Sequence, residues 1–232
     1  MVKDIFFDLD RTLWDFETNS ENALNIMFDE FNMEDYIEDF DSFLTHYKNV
    51  NSKFWKKYNA GEITKEELRN GRFSETLEIF QINNKKLGIE MNDRYLELSP
   101  YQTQLFPDTI EVLDDLKNQN YHIHIITNGF QKVQHLKIQN SGLSPYFDTI
   151  LCSEEVGKNK PHPEVFLTAL ERSDAVSDDS IMIGDDFQAD VIGAENVGIR
   201  GVLFDPNNKF KTADSIHKIM KLKEIPNLIL GI

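Results

Sequence analysis

The chain has 232 residues and an ordinary globular composition, with 24 basic residues against 40 acidic ones and a formal net charge of −16. That length accommodates one large domain or two modest ones. The charge repels polyanions, which excludes nucleic acid polymers and anionic membrane surfaces as partners, but not a small phosphorylated ligand held by a metal and a few local cations.

The chain opens with a short apolar run, Ile5-Phe6-Phe7, bounded by charge and ending in Asp8-Leu9-Asp10-Arg11-Thr12-Leu13. The run reads as a strand buried on both faces, as in a parallel sheet. Lys3 and Asp4 precede only this short run, so no signal peptide is read. No stretch approaches membrane-spanning length, and a cytoplasmic protein is expected.

From about residue 15 to residue 100 the periodicity is helical. Leu24, Met27, Phe28 and Phe31 share one face, and Phe40, Phe43, Leu44, Tyr47, Val50, Phe54 and Tyr58 continue it in one or two helices. Thr64 and Glu67 have the spacing of a capping box. Leu68, Phe73, Leu77 and Phe80 mark the next helix, and 87–98 a last one. The aromatic stripes read as bundle core.

Pro107 and Asp108 open a further helix with Ile110, Leu113 and Leu116 inward. Strands at 122–127, 147–152, 180–184 and 201–204 then alternate with helices at 131–142, from Pro163, and after the strand at 180–184, the last ended by Gly198. A last helical stretch is expected over 212–222. Cys152, the single cysteine, lies in an apolar strand and reads as a small core residue. Alternation of this kind implies right-handed crossovers and a parallel sheet. The fold class is therefore α/β, with a Rossmann-like parallel-sheet core over 1–14 and 101–232 and an inserted helical domain over 15–100.

Catalytic groups of such sheets collect at the carboxyl ends of the strands. Four loops there carry Asp8 and Asp10; Thr127-Asn128-Gly129; Lys158 and Lys160; and Gly184-Asp185-Asp186 with Asp190 one helical turn later. Each alone has a structural explanation, as turn, solvated lysine or helix cap. Together they point to phosphoryl transfer. Asp8 is the expected nucleophile, since a carboxylate can accept a phosphoryl group and split hydrolysis into two easier steps. Like charge between Asp8 and a phosphate dianion calls for a hard cation. Mg2+ suits an all-oxygen site made from Asp8, the main-chain oxygen of Asp10 and Asp185. Lys160 is expected to pair with the transferring oxygens, and Thr127 with main-chain amides near Asp10 and Asn128 to bind the others. Asp10 is placed as general acid, then general base. Asp186 and Asp190 are expected to surround the metal or the lysine, with direct ligation as the alternative.

These motifs resemble those of the haloacid dehalogenase superfamily of aspartate-nucleophile phosphohydrolases over nearly the whole chain: Asp8 to Leu13 the first, Thr127-Asn128-Gly129 the second, Lys160-Pro161 the third, and Gly184-Asp185 through Asp190 the fourth. The resemblance implies a Rossmann-like core, Mg2+ dependence and an aspartyl-phosphate intermediate. Arg11 departs from the glycine frequent at its position. The helical insert resembles the superfamily's cap. Glu62 to Leu68, Arg72-Phe73 and the spacing of Asp185 and Asp190 resemble the pyrimidine 5′-nucleotidase type, in which a cap closes over the site and selects the leaving group. Arg69 or Arg72 would then meet a polar edge of a base; the alternative is that both are solvated helix residues.

The expected activity is hydrolysis of a nucleoside 5′-monophosphate by a monomer or dimer. A sugar-phosphate phosphatase and a phosphomutase remain alternatives. A 2-haloacid dehalogenase needs neither metal nor an acid at Asp10. A non-catalytic phospho-accepting domain places its acidic pair and its phosphoacceptor on different strands. Function rests on the site, because the fold hosts many chemistries.

Overall fold

The structure, a computed structural model, describes residues 2–211 and 216–231. It forms two compact units, one of residues 1–16 and 103–232 and one of residues 17–102.

In the first unit, strand β1 (Asp4–Phe7) lies at the centre of a sheet. Ile5, Phe6 and Phe7 are fully buried. Successive side chains of a strand point to opposite faces: Ile5 and Phe7 enter one apolar cluster with Ile123, Ile125, Ile181 and Ile183, while Phe6 enters another with Ile126, Leu151 and Met182. Both faces are thus covered, which explains the continuous apolar run. The other strands are β2 (His122–Thr127), β3 (Thr149–Cys152), β4 (Ser180–Gly184), β5 (Arg200–Phe204) and β6 (His217–Ile219). All pairs are parallel, in the order β3-β2-β1-β4-β5-β6. The order reverses between β1 and β4. An α/β sheet opens its ligand crevice at such a point, beyond the carboxyl ends of the strands.

The second unit contains α1 (Phe16–Glu30), α2 (Phe40–Asn59), α3 (Lys65–Ile79) and α4 (Lys85–Leu98). Its core gathers Leu24, Met27, Phe43, Tyr47, Phe73 and Tyr95, with the Tyr47 and Phe73 rings 4.6 Å apart. The residues from Phe40 onward form one helix. The capping box is present at α3: Thr64 accepts from the Glu67 amide at 3.1 Å, and Glu67 accepts from the Thr64 amide at 2.7 Å.

In the first unit, α5 (Thr109–Asn118) precedes β2, α6 (Gln131–Asn140) follows it, and α7 (Pro163–Ser173) joins β3 to β4. After β4 comes a π-helical segment, Phe187–Ile192, and then the short α8 (Gly193–Glu195). Gly198 ends this region with a φ of 82°.

Three expectations need correction. Ile110 is 40% exposed rather than inward; Thr109, Val112, Leu113 and Leu116 form the buried face of α5, and Ile110 falls off that stripe. The third strand is shorter than expected and begins at Thr149. The tail differs most. Residues 212–215 of the expected helix lie outside the described residues, but His217–Ile219 form a sixth, edge strand on β5, and a helix, α9 (Ile225–Gly231), follows. Of this three-residue strand only Ile219 is buried, so it carries no apolar signature.

Candidate active site

Strand β1 ends in Phe7, and the backbone then turns sharply. The Leu9 carbonyl accepts from the amides of Leu13 and Trp14 at 3.1 and 2.9 Å, closing a tight loop that holds Asp8 and Asp10 at the sheet edge. Arg11 takes a left-handed φ of 68° in this loop, a conformation glycine adopts freely. Arg11 sets its guanidinium 4.1 Å over the ring of Phe16.

Asp8, at the end of β1, is buried. Lys160, from the loop between β3 and α7, is only 2% exposed and puts its ammonium 2.7 Å from Asp8 Oδ1 and 2.7 Å from Asp190 Oδ1. The same ammonium donates to the Ile126 carbonyl at 2.6 Å. Asp190 is held from behind as well: its Oδ2 accepts from the Asp186 amide at 3.0 Å. Gly184 makes room for it, since a Cβ there would lie 2.2 Å from Asp190 Oδ2.

One oxygen each from Asp8, Asp185 and Asp190 lies within 4.8 Å of the others. Burial pushes the Asp8 carboxyl up to about 7 against the opposing pull of Lys160, with Asp190 adding to the rise. Burial, with repulsion from Asp8 and Asp190, also holds Asp185 well above the usual carboxylate range. Asp190 is raised chiefly by burial, although Lys160 opposes it. The Lys160 ammonium is raised: its two carboxylate partners outweigh the desolvation that favours the neutral amine. Three converging carboxylates with one shared ammonium leave negative charge uncompensated. Their donors are all oxygen, which fits a hard divalent cation. Lys160 and the Asp186 amide engage both oxygens of Asp190, whereas Lys160 engages Asp8 through Oδ1 alone.

Asn128 clamps Lys160. Its Oδ1 accepts from the Lys160 amide at 2.8 Å and its Nδ2 donates to the Lys160 carbonyl at 3.1 Å. The Asn128 side chain is thus committed to protein. Thr127 is buried, and its hydroxyl oxygen accepts from the Gly129 amide at 3.1 Å. Asp186 caps the π-helical segment, accepting from Gln188 and Ala189 at 2.9 Å each. Lys158 is exposed and stands apart from these contacts.

Two residues absent from the sequence expectations belong here. Lys137 Nζ lies 2.6 Å from Asp10 Oδ1, and Gln134 Nε2 donates to Asp10 Oδ2 at 2.8 Å. Both are buried on α6. The Lys137 ammonium also sits 3.8 Å from the centroid of Trp14, and burial lowers its proton affinity below that of an ordinary lysine. The sequence does place Gln134 and Lys137 three apart on one helix, just after the Thr-Asn-Gly turn. Nothing in it marks that helical face as the one turned toward Asp10.

In the helical unit, Arg69 pairs with Asp93 at 3.0 Å. Arg72 is not a solvated helix residue. It is 3% exposed and donates to Asn51 Oδ1 at 3.0 Å and Asn92 Oδ1 at 2.8 Å, with Tyr95 5.7 Å from its guanidinium carbon. Its place in α3, next to Phe73, turns it into the unit's interior, where the two asparagines satisfy it. Among the described residues, no helix is long and apolar enough to cross a membrane.

The family model for haloacid dehalogenase-like hydrolases matches residues 5–204. The chain is 30% identical to pyrimidine 5′-nucleotidase YjjG of Escherichia coli strain K12, over 94% of this chain and 96% of that protein. It is also 30% identical to ribulose-1,5-bisphosphate 5-phosphatase of Halopiger xanaduensis, over 99% and 100% of the two chains. Among solved structures, YfnB of Bacillus subtilis bound to magnesium superposes with a TM-score of 0.89 at 27% identity, covering 99% of this chain and all of that one. The chain belongs to the haloacid dehalogenase-like hydrolase family.

Proposed function

We propose that this protein is a Mg2+-dependent phosphomonoester hydrolase acting through an aspartyl-phosphate, with nucleoside 5′-monophosphates as its substrate class. The observation that carries this reading is the convergence of Asp8, Asp185 and Asp190, with Lys160 paired to Asp8 and Asp190, where the strand order reverses. Asp8, Asp185 and the main-chain oxygen of Asp10 would hold Mg2+, which when bound offsets the charge of the phosphate and the carboxylates.

In the first half-reaction an Asp8 oxygen forms a bond to phosphorus as the ester P–O bond breaks. The Asp10 carboxyl gives its proton to the departing oxygen. In the second, Asp10 takes a proton from water as the water oxygen attacks phosphorus. The bond to Asp8 breaks, inorganic phosphate leaves, and both aspartates are restored. Lys160 and Thr127, with the main-chain amides near Asp10 and Asn128, would bind the non-bridging oxygens. Asp190 and Asp186 would act indirectly, Asp190 by holding Lys160 and Asp186 by holding Asp190. The division into a catalytic core (1–14 and 101–232) and a cap (15–100) is part of the proposal, the helical unit governing the choice of leaving group. Such small phosphorylated metabolites would be met in the cytoplasm, where we place the enzyme.

A sugar-phosphate phosphatase is the second reading, favoured by equal identity to the Halopiger ribulose-1,5-bisphosphate 5-phosphatase. Phosphate release from a panel of nucleoside monophosphates and sugar phosphates, with and without Mg2+, tests both. Highest kcat/KM on pyrimidine 5′-monophosphates is expected. A clear preference for sugar phosphates would replace the first reading with the second, and no Mg2+-dependent release from any monoester would overturn both.

A further inference from the structure

Asp10 is held in an unusually defined way for a residue whose carboxyl keeps some contact with solvent. Its side chain is 20% exposed, yet both oxygens are engaged from one helix face: Oδ1 by Lys137 Nζ at 2.6 Å and Oδ2 by Gln134 Nε2 at 2.8 Å. Residues three apart on a helix lie on the same side, so the two donors together fix the plane of the carboxyl group and not merely its charge. Neither donor is free to wander. Lys137 is 3% exposed with its ammonium against Trp14, and Gln134 is 2% exposed. Gln134 fills the space over Gly129, where a Cβ would fall 1.6 Å from its Nε2. The glycine of the Thr-Asn-Gly turn therefore admits the amide that holds Asp10. Trp14 is fixed in turn by its amide, which donates to the Leu9 carbonyl at 2.9 Å. The loop carrying Asp10 and the turn beside Thr127 are thereby tied to one pair of α6 side chains.

We infer that Gln134 and Lys137 are positioning residues that fix the orientation of the Asp10 carboxyl group and so set the efficiency of proton transfer to the leaving oxygen. This rests on the role of Asp10 proposed above. A buried lysine needs an acidic partner for stability alone; Gln134 does not. It carries no charge, so replacing it probes orientation with every ionic group in place.

The experiment compares two substrates of the Mg2+-loaded enzyme. A nucleoside 5′-monophosphate has an alcohol leaving group that needs a proton, whereas p-nitrophenyl phosphate has one that does not. kcat/KM reports steps up to release of that group. For Gln134→Met, kcat/KM should fall about tenfold or more on the nucleotide and less than about threefold on the aryl ester, as expected when proton donation alone is impaired. Lys137→Met should show the same asymmetry and Lys137→Arg should remove it by recovering nucleotide turnover, with melting temperatures identifying any variant that fails to fold. Equal losses on both substrates in the folded Gln134→Met variant would reduce the pair to scaffolding, and undiminished nucleotide turnover would show that Asp10 is oriented by other groups. An Asp10→Asn variant without this asymmetry would overturn the role of Asp10 itself, and the inference with it.

Discussion

The ammonium of Lys160 lies 2.7 Å from an oxygen of Asp8, a residue 152 positions earlier in the chain, and both are buried. Removing one member of a buried pair leaves the other charge without compensation, which costs about 3–5 kcal/mol. Here one lysine serves two carboxylates. Lys160→Met should therefore lower stability by about that amount near neutral pH and reduce phosphatase turnover by about a hundredfold or more. Chemical denaturation and steady-state assays check both. A variant as stable and active as the parent would mean that another cation balances Asp8 and Asp190.

Asp8→Asn should behave differently. Turnover should vanish with loss of the nucleophile, while the fold persists because Asp190 still pairs with Lys160. The amide also relieves repulsion from Asp185 and Asp190, so without Mg2+ at pH 8 the variant should melt at or above the parent's temperature. Retained turnover would remove Asp8 from its role.

Metal binding should depend on pH in a predictable direction. The folded-state pKa of Asp8 is pushed up to about 7 from an ordinary 3.8, chiefly by burial. A carboxyl group raised by folding favours the native state below its unfolded pKa. That contribution is lost as pH rises from about 4 through about 7, where the cluster must ionise within the protein. Mg2+ held by Asp8 and Asp185 as proposed would bind the ionised cluster and compete with protons. The rise in melting temperature on adding Mg2+ should be large at pH 8 and small at pH 5.5. EDTA should abolish turnover throughout. An equal Mg2+ shift at both pH values would show that the ion binds elsewhere.

Gly184→Ala tests the support behind Lys160. A Cβ at Gly184 would stand 2.2 Å from Asp190 Oδ2. Overpacking of this kind costs about 1–3 kcal/mol. The displaced carboxylate should also release Lys160, so turnover should fall more than stability alone explains. Denaturation midpoints measured beside kcat would separate the two effects.

In the helical unit, Arg72 links Asn51 of α2 and Asn92 of α4 to α3. Arg72→Ala removes a buried guanidinium and its packing against Tyr95, and should destabilise the protein by about 2–4 kcal/mol. Hydrogen exchange should localise the loss to residues 17–102. Unchanged protection there would show that the two asparagines are satisfied without it.

Much of this molecule is legible in its residues. The buried run before Asp8, the alternation after residue 105, the capping box at Thr64 and Glu67 and the four loop motifs depend on local periods and turn chemistry, which a linear string carries intact. Ile110 and the sixth strand escaped because their fate depends on where a helix face or a short edge segment docks. Arg72 escaped for a related reason: an arginine in a polar helix is buried only when asparagines from two other helices reach it.

The sequence by itself determined the family, the alternation of strands and helices, and which side chains have the chemistry for phosphoryl transfer. Only the tertiary structure decided that Lys160 serves Asp8 and Asp190 together, that Asn128 holds the lysine by its backbone, and that Gln134 and Lys137 grip Asp10. The motifs depend on residues close together in the chain. The charge balance depends on parallel strands bringing loops more than a hundred residues apart to one edge, where burial makes each pairing matter.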